Sequence, residues 1–446
     1  MNRPGGDRRR PVGKNPPRER PRQEVVINGI AAGGEGVGRL QDGRAIFVHR
    51  TAPGERVLVQ VVHERPRWAR GRLIEVLEPS PDRREAPCPH YAECGGCTLE
   101  HLEYDAQLRT KSRIVADALA RIGGIELDPP AVVPSPRQHR YRNRVSFALH
   151  RRGSGRVAAG FHALGDPDRI VPIDGSCLLP EESIGLVWDR LRANWGVDAN
   201  RLPSGERLRL TLRSSAGGAV SLLIEGGYSQ GKPEELVGLV EGLESVWHKP
   251  EARSATHVAG APGLPEAWGE ERFEVGGTAF LQVNREAAAL LEEHVIATAG
   301  NVSGQHVIDA YCGIGLHARR LARLGAAVTG LELDGDAVRV ADEAGTPGAR
   351  YHQGRVEDLL EAALPGDLLI LNPPRAGVDA AAIVPILNQP PQHIIYISCD
   401  PATLARDLKL LSSSFQLTSI RCFDLFPQTA HVETVVGLTR LATLPE

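Results

Sequence analysis

The run Ile397-Ser398-Cys399-Asp400-Pro401 puts a thiol directly after the apolar stretch His393 to Ile397 and directly before a helix start. Open α/β sheets place reactive groups at such strand ends. Asn372-Pro373-Pro374-Arg375 ends an earlier strand in the same way, and Glu433 follows in Phe426-Pro427-Gln428-Thr429-Ala430-His431-Val432-Glu433. A thiol, a strand-end amide and a carboxylate are the parts of nucleophilic catalysis with a separate base. Methylation of a pyrimidine at carbon 5 needs this set. Uracil and cytosine are poor nucleophiles there, and a thiolate added to carbon 6 turns carbon 5 into an enolate-like centre that accepts a methyl group. The carbon 5 proton must then leave and the enzyme be expelled, which takes a cysteine, a base and hydrogen bonds for the developing enolate. Cys399, Glu433 and the polar groups near Asn372 match in kind, and the target base would have to leave its stack to reach them. A lone strand-end cysteine is as a rule buried and inert, and Cys312 and Cys422 are read that way. An aromatic residue after Asn-Pro-Pro would point to methylation of an exocyclic amine instead; here Arg375 follows.

A methyl donor needs its own site. Val307-Ile308-Asp309-Ala310-Tyr311-Cys312-Gly313-Ile314-Gly315 reads as a strand, a glycine turn and a helix start. The glycines let the backbone approach a ligand closely. Glu332 closes the next strand about 20 residues on, where an acid can accept from two ribose hydroxyls. The third glycine of the dinucleotide fingerprint is missing, since Leu316-His317-Ala318 follow. That disfavours NAD and favours S-adenosyl-L-methionine, which has no pyrophosphate to cradle.

A second constellation is Cys88-x5-Cys94-x2-Cys97, three soft ligands with Gly95 and Gly96 between them. Tetrahedral zinc or an iron–sulfur cluster could use it, and Cys177 is the best candidate for a fourth ligand. Seven cysteines, an odd number in a chain with no signal peptide, point to a reducing, cytoplasmic setting. No run of apolar residues is long enough for a membrane span.

The elements that must position these groups fall into four stretches of the 446 residues. Residues 1–23 carry seven Arg and one Lys against Asp7 and Glu19, a net +6, and read as a disordered basic arm that either contacts RNA or keeps the chain soluble. The whole chain, at −3, does not announce a nucleic-acid binder. In 24–80, strand candidates at Val25 to Ile30, Ala45 to Val48, Arg56 to Val62 and Leu73 to Leu77 suggest a small β-barrel. Its surface is basic and aromatic, with Arg65, Arg67, Trp68, Arg70 and Arg72. The glycines at 33–38 are no dinucleotide loop, because no strand–helix unit surrounds them. Residues 81–270 hold the cysteine-rich loop, a helix from Leu99 to Ile122, and a mixture of strands and helices in which Trp188 and Trp195 are core. Here Arg137, His139, Arg140, Tyr141, Arg142, Arg144, His150, Arg151, Arg152 and Arg156 form a basic, aromatic-interleaved stretch suited to phosphates and bases. From 271 to 446 strands at 306–310, 327–332, 350–353, 367–371 and 393–398 alternate with helices at 285–298, 316–324, 334–344 and 401–411. That alternation predicts a parallel, doubly wound sheet.

Tyr396-Ile-Ser-Cys-Asp-Pro-Ala-Thr-Leu-Ala-Arg-Asp407, with Asn372-Pro-Pro-Arg-Ala-Gly377 and Phe280-Leu-Gln-Val-Asn284, resembles the RNA uracil-5 methyltransferases, and among them the bacterial enzymes of large-subunit ribosomal RNA. The resemblance runs over about residues 24–446. It implies a multidomain α/β chain: an OB-like TRAM barrel that binds RNA, a mixed central domain and a C-terminal Rossmann-like methyltransferase sheet. It implies that Cys399 is the nucleophile and Glu433 the base, that Gln282, Tyr311, Glu332 and Asn372 line the S-adenosyl-L-methionine site, and that Cys88, Cys94, Cys97 and Cys177 hold a four-iron four-sulfur cluster, with zinc as the alternative. The substrate would be RNA, ribosomal in preference to transfer RNA, with no protein partner implied. A methylase of the transfer-RNA T-loop, a non-catalytic RNA-binding or assembly factor and a DNA amino-methyltransferase are the competing readings. The chain departs from the family in having Asn372 where Asp is usual, Leu316 where many relatives have Asn, and Gln428 where many have His.

Overall fold

The computed structural model describes residues 22–152, 156–228, 231–269, 271–278 and 281–442. The basic arm lies outside the described residues except for Arg22 and Gln23, which open the first strand. The chain forms two compact units, divided at Pro81/Asp82 apart from residues 32–34, which cluster with the second.

In the first unit β1 (Arg22–Ile30), β2 (Glu35–Arg39), β3 (Ala45–His49), β4 (Arg56–Glu64) and β5 (Trp68–Glu78) close a barrel in the order β1-β2-β3-β5-β4. Alternate residues such as Ile46, Val48, Val57, Val59 and Val61 fill it, the period-2 pattern of a half-buried strand. The glycine run, expected only as a connection, supplies β2. Gly36 and Gly38 serve close packing there, because a Cβ would collide with Thr51 and Val25 respectively. Arg65, Arg67, Arg70 and Arg72 are exposed, and Arg70 lies over the Trp68 ring at 5.7 Å.

The second unit begins with the cysteine-rich loop and α1 (Tyr104–Ala118), which ends in a π-turn over Leu119–Gly123. A short strand β6 (Val132–Val133) follows. Next come β7 (Arg144–Arg152), β8 (Arg156–Ala163), β9 (Asp166–Pro172), α2 (Glu182–Asn194), β10 (Arg207–Ser214), β11 (Val220–Glu225), α3 (Glu234–Leu239), β12 (Leu243–Lys249) and β13 (Thr256–Gly260). Their strands make a seven-stranded sheet in the order β13-β12-β11-β10-β7-β8-β9. Trp188 of α2 is fully buried and stacks on Phe147 at 3.9 Å, with Trp195 edge-on to it at 6.0 Å, so both tryptophans are core. The hairpin β14 (Leu264–Trp268) and β15 (Glu271–Val275) comes next.

The last sheet is built from α4 (Arg285–Ala299), β16 (His306–Ala310), α5 (Leu316–Arg323), β17 (Ala327–Glu332), α6 (Gly335–Glu343), β18 (Ala349–Gln353), α7 (Val356–Ala363), β19 (Leu368–Leu371), α8 (Ala380–Asn388), β20 (His393–Ser398), α9 (Pro401–Leu411), β21 (Phe415–Phe423) and β22 (Glu433–Arg440). Its order is β18-β17-β16-β19-β20-β22-β21-β6. β18, β17, β16, β19 and β20 are parallel, and β16, β19 and β20 are almost wholly apolar and buried, as strands covered on both faces must be, while β18 at the edge is polar and largely unburied. The strand order reverses between β16 and β19, which opens a crevice at their carboxyl ends. The sheet is not parallel throughout: β22 is inserted antiparallel between β20 and β21. α7, α8, β21 and β22 go beyond the sequence expectation.

Candidate active site

Five of the residues singled out from the sequence stand in a row along one edge of the last sheet. Glu332 ends β17, Tyr311 follows β16, Asn372 follows β19, Cys399 follows β20 and Glu433 begins β22. These strands are neighbours in that order, so at about 4.8 Å per strand the row spans roughly 19 Å. β22 runs the other way, which is why its first residue shares an edge with the last residues of the parallel strands. The register pairs Ser398 with Thr434, and one step further puts Cys399 opposite Glu433.

Glu433 is buried, and burial raises its carboxyl to about 7, against the pull of the Arg375 guanidinium. The Cys399 thiol is also raised, first by burial and then by the Glu433 charge, while Arg375 favours the thiolate. Arg375 Nη2 donates to His431 Nε2 at 3.5 Å. Burial and the cations Arg375, Arg142 and Lys111 hold that imidazole neutral, down to about 4. The sequence reading gave Arg375 only as part of a motif and passed over His431. Their signal was proximity in sequence to Asn372 and Glu433.

Each of these segments is fastened. Asp400 caps α9, its carboxylate accepting from the amides of Ala402 and Thr403 at 2.9 and 3.0 Å. The buried Asp407 of α9 accepts from the Tyr396 hydroxyl at 2.7 Å and the Val378 amide at 2.9 Å, while Arg406 donates to Ala376 O at 2.9 Å. The 372–378 turn is thereby tied to the helix that follows Cys399. The 424–432 loop is tied to α1: Lys111 and Asp424 form a fully buried ion pair, Tyr104 also donates to Asp424 at 2.9 Å, and Lys111 donates to Phe426 O at 3.0 Å. Removing one partner of such a pair leaves an uncompensated buried charge.

At the other end of the row, Tyr311, Gly313 and Gly315 take left-handed φ values of 62°, 55° and 74°. A Cβ on Gly315 would strike the Tyr351 ring at 2.6 Å, so that turn requires glycine. The Glu332 carboxylate accepts from the Gly313 amide at 2.9 Å and the Asp334 amide at 2.8 Å, which holds the acid across the turn. Asp309, missed in the sequence reading, is fully buried beneath it; its Oδ2 accepts from the Ala318 amide at 3.1 Å, and burial lifts its carboxyl to about 6. Gln282 comes from outside the sheet, on the segment before α4. Leu281 packs with Ile314 of the glycine turn, and Asn143 donates to Gln282 O at 3.0 Å. Phe280, part of the same motif, lies outside the described residues.

Cys88, Cys94, Cys97 and Cys177 line one cavity with His90, Tyr91, Glu100 and Phe161. None of the seven cysteines is in a disulfide. Gly95 and Gly96 let the loop close, since a Cβ at Gly95 would lie 3.1 Å from His162 O and one at Gly96 3.4 Å from Cys94 Sγ. Among the described residues, no three His, Cys, Asp or Glu side chains converge to hold a single metal ion. In kind, four sulfurs lining one hollow are the donors that a thiolate-bound group takes.

The basic stretch of the central sheet is largely committed within the protein. Arg140 donates to Cys177 O and Gly175 O at 2.7 and 3.2 Å, and Arg151 gathers carbonyls from Asp198 to Gly205. Tyr141 is buried, donating to Pro427 O at 3.0 Å. Arg137 is exposed but pairs with Glu286 at 2.6 Å. The side chains of Arg152 and Arg156 lie outside those described.

The tRNA (uracil-5-)-methyltransferase family model matches residues 352–441, which hold β19 to β22 and so Asn372, Cys399 and Glu433, and the TRAM domain model matches residues 18–74, most of the barrel. An uncharacterised RNA methyltransferase of Gloeobacter violaceus is 34% identical over 445 residues, covering 93% of this chain and 96% of its own. Another, of Halalkalibacterium halodurans, is 31% identical over 455 residues, with 93% and 96% covered. Among solved structures, the tRNA (uracil-54, C5)-methyltransferase of Pyrococcus abyssi in complex with S-adenosyl-L-homocysteine is similar with a TM-score of 0.72 and 25% identity, over 94% of this chain and 100% of its own. With a TRAM barrel at one end and a strand-edge row suited to methyl transfer at the other, the chain belongs to the S-adenosyl-L-methionine-dependent RNA (uracil-5-)methyltransferase family.

Proposed function

We propose that the protein methylates carbon 5 of a uridine in ribosomal RNA, with Cys399 as nucleophile and Glu433 as base. The observation that carries the mechanism is the antiparallel register that sets Glu433 across from Cys399. Cys399 Sγ bonds to carbon 6 of a flipped uridine and the displaced electron pair makes carbon 5 an enolate carbon. S-adenosyl-L-methionine supplies the methyl group from its sulfonium to that carbon. Glu433 then takes the carbon 5 proton, the carbon 5–carbon 6 double bond reforms, and the Cys399 thiolate leaves. A carboxyl lifted to about 7 is matched to this task, because a base works best with its pKa near the operating pH. Arg375 favours the thiolate before attack and after expulsion. Gln282, Tyr311, Glu332 and Asn372 hold the methyl donor. Asn372 keeps a hydrogen-bonding amide where a carboxylate is usual, so the charge at that position is either not required or supplied by another group.

Cys88, Cys94, Cys97 and Cys177 would hold a four-iron four-sulfur cluster. Four thiols line one hollow, a set of soft donors of the kind such a cluster takes, with a tetrahedral zinc ion as the alternative. Methyl transfer moves no net electrons, so the part of such a cluster would be structural or in positioning RNA.

Transfer RNA is the second reading. The Pyrococcus enzyme is similar along nearly the whole chain, so a barrel and a long N-terminal half do not by themselves select ribosomal RNA. Mass spectrometry of both RNA classes from a strain lacking the gene decides: loss of a 5-methyluridine from ribosomal RNA supports the first reading, and loss only from transfer RNA replaces it. For the mechanism, Cys399→Ala should abolish methylation, and retained activity would sink it.

A further inference from the structure

The residue with the most unusual support near the active site is Gln428. It is almost fully buried and its backbone is left-handed, with φ of 68°, a conformation that a non-glycine residue holds only when its surroundings over-determine it. Six hydrogen bonds do so. Its amide donates to Gln107 Oε1 at 2.9 Å, and its carbonyl accepts from the amides of both Thr98 and Leu99 at 2.9 Å. Its side-chain oxygen accepts from Arg84 at 3.0 Å and Gln107 at 2.9 Å, and its side-chain nitrogen donates to Gln138 O at 3.2 Å. Two residues on, the Ala430 amide donates to Thr98 Oγ1 at 3.3 Å. Thr98 directly follows Cys97, so the exit of the cysteine-rich loop, α1 and the approach to β7 all meet on one residue. That residue stands three before His431 and five before Glu433.

We propose that Gln428 is a positioning residue for proton removal: it locks the 427–432 loop to the exit of the cysteine-rich loop and so sets where Glu433 meets the substrate. The inference rests on the Cys399 and Glu433 reading above. Within the sheet Glu433 is held by its pairing with Phe423 of β21 and, on its carboxyl side, by the pairing of Thr434 with Ser398. On its amino side the chain is held by Gln428 and its partners. The cysteine-rich loop thereby gains a route to the chemistry that involves no electron transfer, since a shift of Thr98 is felt by the strand that begins with the base.

The test separates the base from the nucleophile. In 5-fluorouridine RNA, fluorine replaces the carbon 5 hydrogen. Sulfur–carbon bond formation and methyl transfer can proceed, but no proton is there to remove and the covalent adduct persists. Trapping therefore reads Cys399 and turnover on uridine reads Glu433 as well. Gln428→Gly is the informative variant, because glycine adopts the left-handed backbone without strain and only the side-chain bonds are lost. Turnover on uridine RNA should fall about tenfold or more, with KM for RNA and for S-adenosyl-L-methionine within about twofold and trapping within about threefold. Gln428→His should restore turnover to within about threefold, since one imidazole nitrogen donates and the other accepts. Unchanged turnover in Gln428→Gly overturns the proposal. So does a parallel loss of trapping and turnover, which would make Gln428 a support of the whole fold. If the unsubstituted protein forms no adduct, the Cys399 reading falls, and this inference with it.

Discussion

Two cysteines occupy the same kind of place in the last sheet. Cys312 lies just past β16 and before α5; Cys399 lies just past β20 and before α9. Both thiols are raised, and burial is the first cause in each. The next causes differ. Around Cys312 stand Asp309, Glu332 and Asp342, all of which penalise a thiolate. Around Cys399 stand two carboxylates, Glu433 and, with a weaker effect, Asp400, and one cation, Arg375, which favours the thiolate. A strand end offers access but does not make a nucleophile. Thiolate character comes from the charges that the neighbouring turns deliver, and here that is the guanidinium carried by the turn after β19.

The comparison breaks most visibly under removal of each sulfur. Cys399→Ala should lower methylation by on the order of 10⁴-fold or more, while Cys312→Ala leaves it within about threefold, both read by methyl incorporation into RNA. Comparable losses in the two variants would erase the distinction. Glu433→Gln should cost about 10²–10⁴-fold in turnover yet still form adducts on 5-fluorouridine RNA. If the Glu433 carboxylate is the base and the Cys399 thiolate the nucleophile, turnover in the unsubstituted protein should rise with pH through about 7 and go on rising above it, because the Cys399 thiol is raised as well. Arg375→Ala sharpens the electrostatic argument. Arg375 lowers both the Cys399 thiol and the Glu433 carboxyl, so its loss raises both, moves the rising limb to higher pH, and slows iodoacetamide alkylation of Cys399 about tenfold if the thiol rises by about one pKa unit. Alkylation of Cys312 should not respond. The smallest loss is expected from Glu332→Gln, which removes one of the charges opposing ionisation of Cys312 and weakens S-adenosyl-L-methionine binding about fivefold in calorimetry, about 1 kcal/mol, as a charged hydrogen-bond acceptor becomes a neutral one.

The sequence was most legible where local pattern and structure agree. β16, β17 and β20 fall on the residues that alternation and strand ends marked, because a buried parallel strand is a short apolar run closed by turn residues. The glycine turn and Glu332 were readable for the same reason: their spacing is local. The seven-stranded central sheet was not, since its pairings, such as β7 with β10, join segments some 60 residues apart and depend on partners no window contains. Nor was the insertion of β22 beside β20. Lys111 and Asp424 are 313 positions apart, and nothing local to either announces a buried ion pair. Two arginines of the central stretch have partners that their sequence context did not announce. Composition marked them as a phosphate face, but Arg140 and Arg151 bond to the carbonyls of loops that turn back on themselves.

The antiparallel pairing of β22 with β20 also bears on which insertions and deletions the chain can tolerate. Residues may be gained or lost between α9 and the start of β22 while Thr434 still finds Ser398, because the added length is absorbed by turns. One residue lost inside β22 has no such outlet. It would turn every following side chain to the other face of the sheet or drag Glu433 away from Cys399. Variation in length among working versions of this enzyme should therefore collect in the turns around the strand and spare the strand itself.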